Sequence, residues 1–251
     1  MFKLNLKSVS IYDKDFIFGV VAMILKCVMN FLLLFVLFLV IDDIGGWTFD
    51  EMMFLYGFSV SSYAIWHCFF VNTITIPTFI QGGELDRFLV KPVNPILLIM
   101  MDGFDEDGWG ELIFGIGVLV VAIIRLGILS PLLLLLPIYM FFGSLVFAGI
   151  SIILAAVSFF TIGESDVTDI TMEVQELAKY PIPIFGQNLG FFLTFVLPLG
   201  FAAFYPSVVF LRPNLGAVIF FIITPGVCTL FFFTSYCIWR RALRRYSSSG
   251  S

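Results

Sequence analysis

Residues 132–162 read LLLLLPIYMFFGSLVFAGISIILAAVSFFTI, a run from Leu132 to Ile162 without one charged side chain. A helix needs about 20 apolar residues to cross the hydrocarbon of a bilayer, so this stretch is long enough to span with tilt. The whole chain has the same character. Of its 251 residues 60% are hydrophobic and only 12% charged, 32 are Phe, and the mean hydropathy is +1.06. A soluble domain carries about 25% charge, and disordered chains are apolar-poor and charge-rich. Both classes are excluded. What remains is a protein solvated by lipid, and the continuous apolar runs favour helices over barrel strands, which would alternate over about 10 residues.

Outward from that run, six stretches read as spans: Phe16–Ile41, Met52–Ile76, Trp109–Leu129, Leu132–Ile162, Leu189–Leu211 and Leu215–Trp239. Only Ser130-Pro131, a turn signal, divides the third from the fourth. The expected fold is an all-α integral membrane protein forming one transmembrane domain over residues 1–251, with no room for an independent soluble domain. The first stretch is too long for a signal h-region and lacks a small-residue cleavage site, so it reads as retained. Cys27, Cys68, Cys228 and Cys237 lie in or beside apolar runs without metal-type spacing and read as free thiols.

The basic residues orient the spans. With both termini inside, Lys3, Lys7, Lys14, Lys26, Arg87, Lys91, Lys179, Arg240, Arg241, Arg244 and Arg245 fall on the inner side, and only Arg125 and Arg212 outside. Eleven to two is a strong positive-inside bias. Two inner loops follow, about Pro77 to Gly108 and about Gly163 to Gln187. The second is mostly acidic.

Several chemistries are missing. The only Lys-Ser pair, Lys7-Ser8, lacks the glycine-rich phosphate cradle of a Walker loop. His67 is the single histidine, which excludes multi-histidine metal sites. It reads either as a lone proton carrier or as a hydrogen-bonded packing residue. Lys26 can snorkel toward the inner interface. Arg125 leans back toward the membrane centre, so it either meets an intramembrane partner or snorkels outward. The run Asp102, Asp105, Glu106, Asp107 and Glu111 fails calcium-loop spacing and reads as a solvated corner. A secondary transporter would need membrane-embedded acids, and an intramembrane hydrolase a catalytic pair. The spans offer little of either.

The segment from Phe79 to Pro95 is the most informative. Leu85, Phe88 and Leu89 share one helical face, with Glu84, Asp86, Arg87 and Lys91 on the rest. Gly82-Gly83 hinges the start and Pro92 ends it. This predicts a short amphipathic helix offering both charge signs to a cytosolic partner, or one lying on the headgroups.

Three stretches resemble the ABC type-2 transporter permeases: Gly83–Pro95, then Tyr180-Pro181 with Pro198 and Tyr205-Pro206, and the tail Arg240–Ser251. The likeness is strongest to the six-span branch encoded beside a separate ATP-binding subunit. It implies one transmembrane subunit of an ATP-driven exporter in the bacterial cytoplasmic membrane, multi-pass, with cytoplasmic termini. Two ATP-binding subunits and a second permease, identical or sister, would be its partners in membrane lipid, with no nucleic acid involved. ATP and Mg would sit on the ATPase, no cofactor on this chain, and this chain would not be an enzyme. The resemblance makes Glu84 to Lys91 the coupling helix that docks on the ATPase. It makes Phe2–Tyr12, with Lys3, Lys7 and Tyr12, an interfacial helix. The proline-broken backbone around Pro198, Tyr205 and Pro206 becomes an outer gate or re-entrant region. The Phe- and aliphatic-rich walls of spans two and five suggest an amphiphilic or hydrophobic substrate. A secondary transporter not driven by ATP is the alternative.

Overall fold

The computed structural model describes residues 13–101, 105, 107–160 and 167–246. The expected interfacial helix with Lys3, Lys7 and Tyr12 lies outside them. The described residues are helices and turns, with one isolated bridge at Ile44 and Trp47.

The helices are α1 (Asp13–Phe38), α2 (Phe49–Phe70), α3 (Ile76–Gln81), α4 (Asp86–Leu89), α5 (Pro95–Met100), α6 (Asp107–Leu126), α7 (Leu136–Val157), α8 (Val167–Ala178), α9 (Gly186–Phe191), α10 (Tyr205–Leu211) and α11 (Leu215–Leu243). A 3₁₀ turn, Val71–Thr75, joins α2 to α3, and another, Pro131–Leu135, leads into α7. Five helical stretches are long and apolar enough to cross a membrane: Phe16–Phe38, Phe49–Gln81, Asp107–Leu126, Pro131–Val157 and Leu215–Leu243. The chain is an all-α membrane protein.

Boundaries differ from the apolar runs where capping chemistry intervenes. The second helix starts at Phe49 rather than Met52 because Thr48 and Glu51 form a capping box. The Thr48 hydroxyl accepts from the Glu51 amide, and the Glu51 carboxylate accepts from the Thr48 amide at 2.9 Å, satisfying two orphan donors. Asn214 caps α11 in the same manner, accepting from the Ala217 amide at 2.9 Å.

Helix α2 is the axis of the bundle. Met52, Phe54, Leu55, Phe58, Tyr63 and Trp66 are buried in one core with Phe147 and Ile150 of α7. Helix α6 packs closest to it. A Cβ on Gly57 would sit 2.7 Å from the Leu119 nitrogen, and one on Gly115 2.9 Å from the Ser61 nitrogen. In lipid, where burial brings no hydrophobic gain between helices, such close backbone approach supplies the packing energy. Helix α1 lies outermost, exposing Leu25, Met29, Leu33 and Val36.

The expected fifth span, Leu189–Leu211, is not a straight crossing. Its residues belong to two arms, Ile182–Val196 and Gly200–Leu211, bent by 77°. Each arm contains a π-helical turn, Phe192–Val196 and Gly200–Phe204. Pro198 stands in the break between them, where its missing N–H and ring prevent the helix from continuing. Both arms return to one end of the bundle, the Trp47 end. Ile184 lies against the Gly45 turn, the Phe204 ring is 5.6 Å from that of Trp47, and Arg212 pairs with Glu51.

The crossing at that place is made by the acidic segment, which sequence reading treats as a loop. Helix α7 ends at the opposite, basic end, where Ile152, Ala155 and Ala156 pack with Trp239 and Ala242 near Arg240 and Arg241. Helix α8 then runs beside α2. Thr171 shares a cavity with His67 and Val71, and Lys179 Nζ lies 5.4 Å from the Tyr56 ring. Residues 167–185 therefore climb from the basic end to the Trp47 end, and 186–211 form a re-entrant pair there. A helix may be polar at this depth when protein covers it or it lines a cavity.

Candidate functional site

Three places could carry function: the corner at the basic end, the re-entrant pair, and a cavity between them.

The corner is built on α4. Leu85 and Phe88 are fully buried with Ile76, Ile96, Ile99, Trp239 and Ala242, so the apolar face faces protein rather than headgroups. Leu89 packs at the edge of the same cluster. The helix is one turn, Asp86–Leu89, shorter than the expected Glu84–Lys91. Gly83, at φ +68°, turns the chain left-handed just before it, and Pro92 follows. The corner is tied to the bundle by Asn94, whose amide donates to the Tyr236 hydroxyl at 2.6 Å. Arg87 stacks over Phe79 and Phe88 and pairs with Glu84 at 3.4 Å, while Lys91 lies 5.8 Å from the Phe88 ring. Glu84, Arg87, Val90, Lys91 and Val93 form the exposed edge. Asp86 is half-buried and faces Tyr246.

At the Trp47 end Arg212 donates to Glu51 through Nε at 2.9 Å and Nη2 at 2.7 Å, donates to the Gly46 carbonyl, and lies over the Trp47 ring. This clamp fixes where the re-entrant pair ends. Tyr205 fixes its interior, stacking on Phe220 at 4.3 Å with its hydroxyl 3.1 Å from that of Thr194. Pro206 is buried in the first turn of α10. Arg125 has an interhelical partner, with Nε 2.7 Å from Asp50 Oδ1.

The cavity holds about 200 Å³ between α1, α2, α6 and α8. The wall opposite α2 is the polar helix α8, which belongs to neither span two nor span five as read from the sequence. Glu111 and Lys26, Glu173, Glu176 and Lys179 all line it. His67 also faces acids, although the spans read from the sequence offer little of a catalytic pair. Its Nδ1 is 2.9 Å from Glu111 Oε2 and its Nε2 3.4 Å from Asp105 Oδ2. Glu111, one turn into α6, is 6% exposed, so it is an acid buried in protein rather than part of a solvated corner. Burial works against the Asp105 carboxylate, yet the adjacent His67 ring and the Asp107 amide hold it below the usual carboxylate range. Lys179 is 5% exposed and pairs with Glu176. Lys26 reaches the cavity rather than only the interface. Among the described residues no group of His, Cys, Asp and Glu is arranged to hold a metal ion, and all four cysteines are free.

The signal for this site is present in the sequence as Glu173, Glu176 and Lys179, each three residues from the next, with Gln175 four before Lys179. It was hidden because hydropathy alone marks spans, and α8 is not apolar.

No curated protein and no solved structure matches the chain. A family model does, over residues 24–250, described as ABC-2 family transporter protein. The matched range takes in the corner at α4, the polar cavity and the re-entrant pair, so this chain belongs to the ABC-2 transporter family and is a transmembrane subunit of an ABC transporter.

Proposed function

We propose that the chain is the permease of an ATP-driven exporter. Two copies, or this chain and a sister, line the pathway in a bacterial cytoplasmic membrane. Two separate ATP-binding subunits hold ATP and Mg, and this chain binds no cofactor of its own. The basic end, with both termini, faces the cytoplasm. The observation that carries the reading is the corner at α4: a rigidly seated turn presenting Glu84, Arg87, Val90 and Lys91 beside the ends of α7 and α11.

Its rigidity matters for coupling. A docked ATPase that pushes on this edge pushes on Leu85 and Phe88, and through them on Trp239 of α11 and Ala155 of α7. The stroke is carried by packed side chains rather than lost in a loop. The pump then alternates between states of different substrate affinity, with the re-entrant pair around Pro198, Tyr205 and Pro206 as the outer gate. The substrate is amphiphilic.

The test is co-expression with the neighbouring ATP-binding subunit. Replacing Glu84, Arg87 and Lys91 together by Ala should weaken the complex by about tenfold or more, as expected when an interface loses its charged anchors. The permease itself should remain folded, since these side chains are exposed. Unchanged assembly and unchanged substrate-stimulated hydrolysis would defeat the docking assignment.

One observation favours a second reading, a secondary transporter: Glu111 and His67 form a buried titratable pair between two apolar helices. Uptake or efflux in vesicles that runs without any ATPase and stops with a protonophore would select it.

A further inference from the structure

The polar cavity between α1, α2 and α8 has more hydrogen-bonding capacity than the protein uses. Tyr56, Tyr63 and Gln175 line it and are each more than nine-tenths buried. Among the described residues neither hydroxyl, nor the Gln175 amide, has a hydrogen-bond partner. These side chains open onto the cavity, where a polar group brought by a ligand can complete the hydrogen bonds that the protein leaves unmade. Three around one cavity, two on α2 and one on the facing helix α8, offer polar atoms to something brought in from outside.

The charges narrow what that is. His67 is committed to Glu111, and Lys179 to Glu176. Glu173 and Lys26 also line the cavity, and neither has an ion-pair partner among the described residues. The unused set is therefore one carboxylate, one ammonium, two phenols and the two amides of Gln175 and Asn30. An anion alone would meet Glu173 without compensation, and a cation alone would meet Lys26. A ligand carrying both charges satisfies both.

Size and access restrict the ligand further. About 200 Å³ is less than the roughly 300 Å³ at which drug-sized pockets begin, so a head group fits and a hydrocarbon tail does not. Lys26 stands on α1 between Leu25 and Met29, which are 60% and 64% exposed on the outer, lipid-type face. A tail can leave along that side.

Resting on the exporter reading, we infer that this cavity receives the zwitterionic head group of an amphiphile, its ammonium on Glu173 and its phosphate on Lys26. The phenols of Tyr56 and Tyr63 donate to the phosphate or ester oxygens, and Gln175 completes the wall.

The test is ligand binding to the purified full chain in detergent, followed by native mass spectrometry. The probes are a short-chain phosphatidylcholine, the matching phosphatidylglycerol, an alkyltrimethylammonium and tail-free glycerophosphocholine. The zwitterionic lipid should bind at least about tenfold tighter than the purely anionic or purely cationic amphiphile, the effect of one charge-assisted contact. Glu173→Gln should remove that advantage over phosphatidylglycerol, and Lys26→Met should remove it over the alkyltrimethylammonium. Both side chains are exposed, and an unchanged thermal midpoint will verify folding. Glycerophosphocholine binding as tightly as the lipid assigns the site to a soluble zwitterion of the same chemistry. Equal binding of all amphiphiles by the unaltered chain, or a preference that survives both substitutions, overturns the inference. The readout needs no ATPase, so loss of subunit assembly with this binding pattern intact counts against the exporter reading alone.

Discussion

Helices α7 and α8 are neighbours in the chain and both run through the bundle, yet they are held by opposite means. Helix α7 is placed by shape. Phe147, Ile150 and Ile152 are buried, and Gly143 lets the helix approach the Ala202 carbonyl and Ser62 closely. Its few polar atoms are answered by its own turns and by neighbouring helices: the Ser151 hydroxyl donates to the Ala148 carbonyl and accepts from Trp66 Nε1 at 3.2 Å, and the Tyr139 hydroxyl donates to the Phe221 carbonyl at 2.9 Å. Helix α8 is placed by charge and by a cavity, through Thr171, Gln175 and Lys179. A helix that meets lipid on one side must be apolar there. One walled by protein and a polar space can carry Glu, Gln and Lys across the same thickness.

The comparison can be broken most severely on the α7 side. Gly143→Leu drives a side chain into backbone at Ala202 and should yield no folded chain, read as loss of the monodisperse peak in size-exclusion chromatography. The charged side should respond next. Glu111→Ala leaves His67 with Asp105 as its one charged neighbour and should cost about 3 kcal/mol in thermal or denaturant unfolding, the scale of a broken buried pair. Glu111→Gln, which keeps a hydrogen-bond acceptor, should cost less. Smallest is Lys179→Met. A buried ion pair replaced by an apolar side chain of similar length is often neutral, and Glu176 is half exposed to solvent or cavity. A shift within about 1 kcal/mol is expected, with altered substrate selectivity. A large loss there would mean that α8 is charge-locked and not merely charge-tolerant.

Legibility followed the same division. The five apolar helices are visible because lipid around α1, α6 and α11 and the packed core around α2 and α7 both demand apolar side chains, with ends displaced by caps such as Thr48. The buried face of α4 was visible in the spacing of Leu85, Phe88 and Leu89, though its true length was set by Gly83. Arg125 was recognisable as a charge in want of a partner, while Asp50, lying far away in sequence, was not. The pairing of His67 with Asp105 and Glu111 could not be read, since it joins α2 to the start of α6 across a long loop.

By itself the sequence determined the environment, the helical class, the asymmetry of basic residues and the family resemblance. Each follows from composition or local spacing, which a lipid solvent and a helical period translate directly into structure. Only the tertiary structure decided that the acidic segment crosses the bundle, that 186–211 turns back at the Trp47 end, and that a polar cavity lies between α1, α2 and α8. Those depend on which faces are covered by other helices. Hydropathy reports what a residue would cost in lipid, and it cannot report that protein stands where the lipid would be.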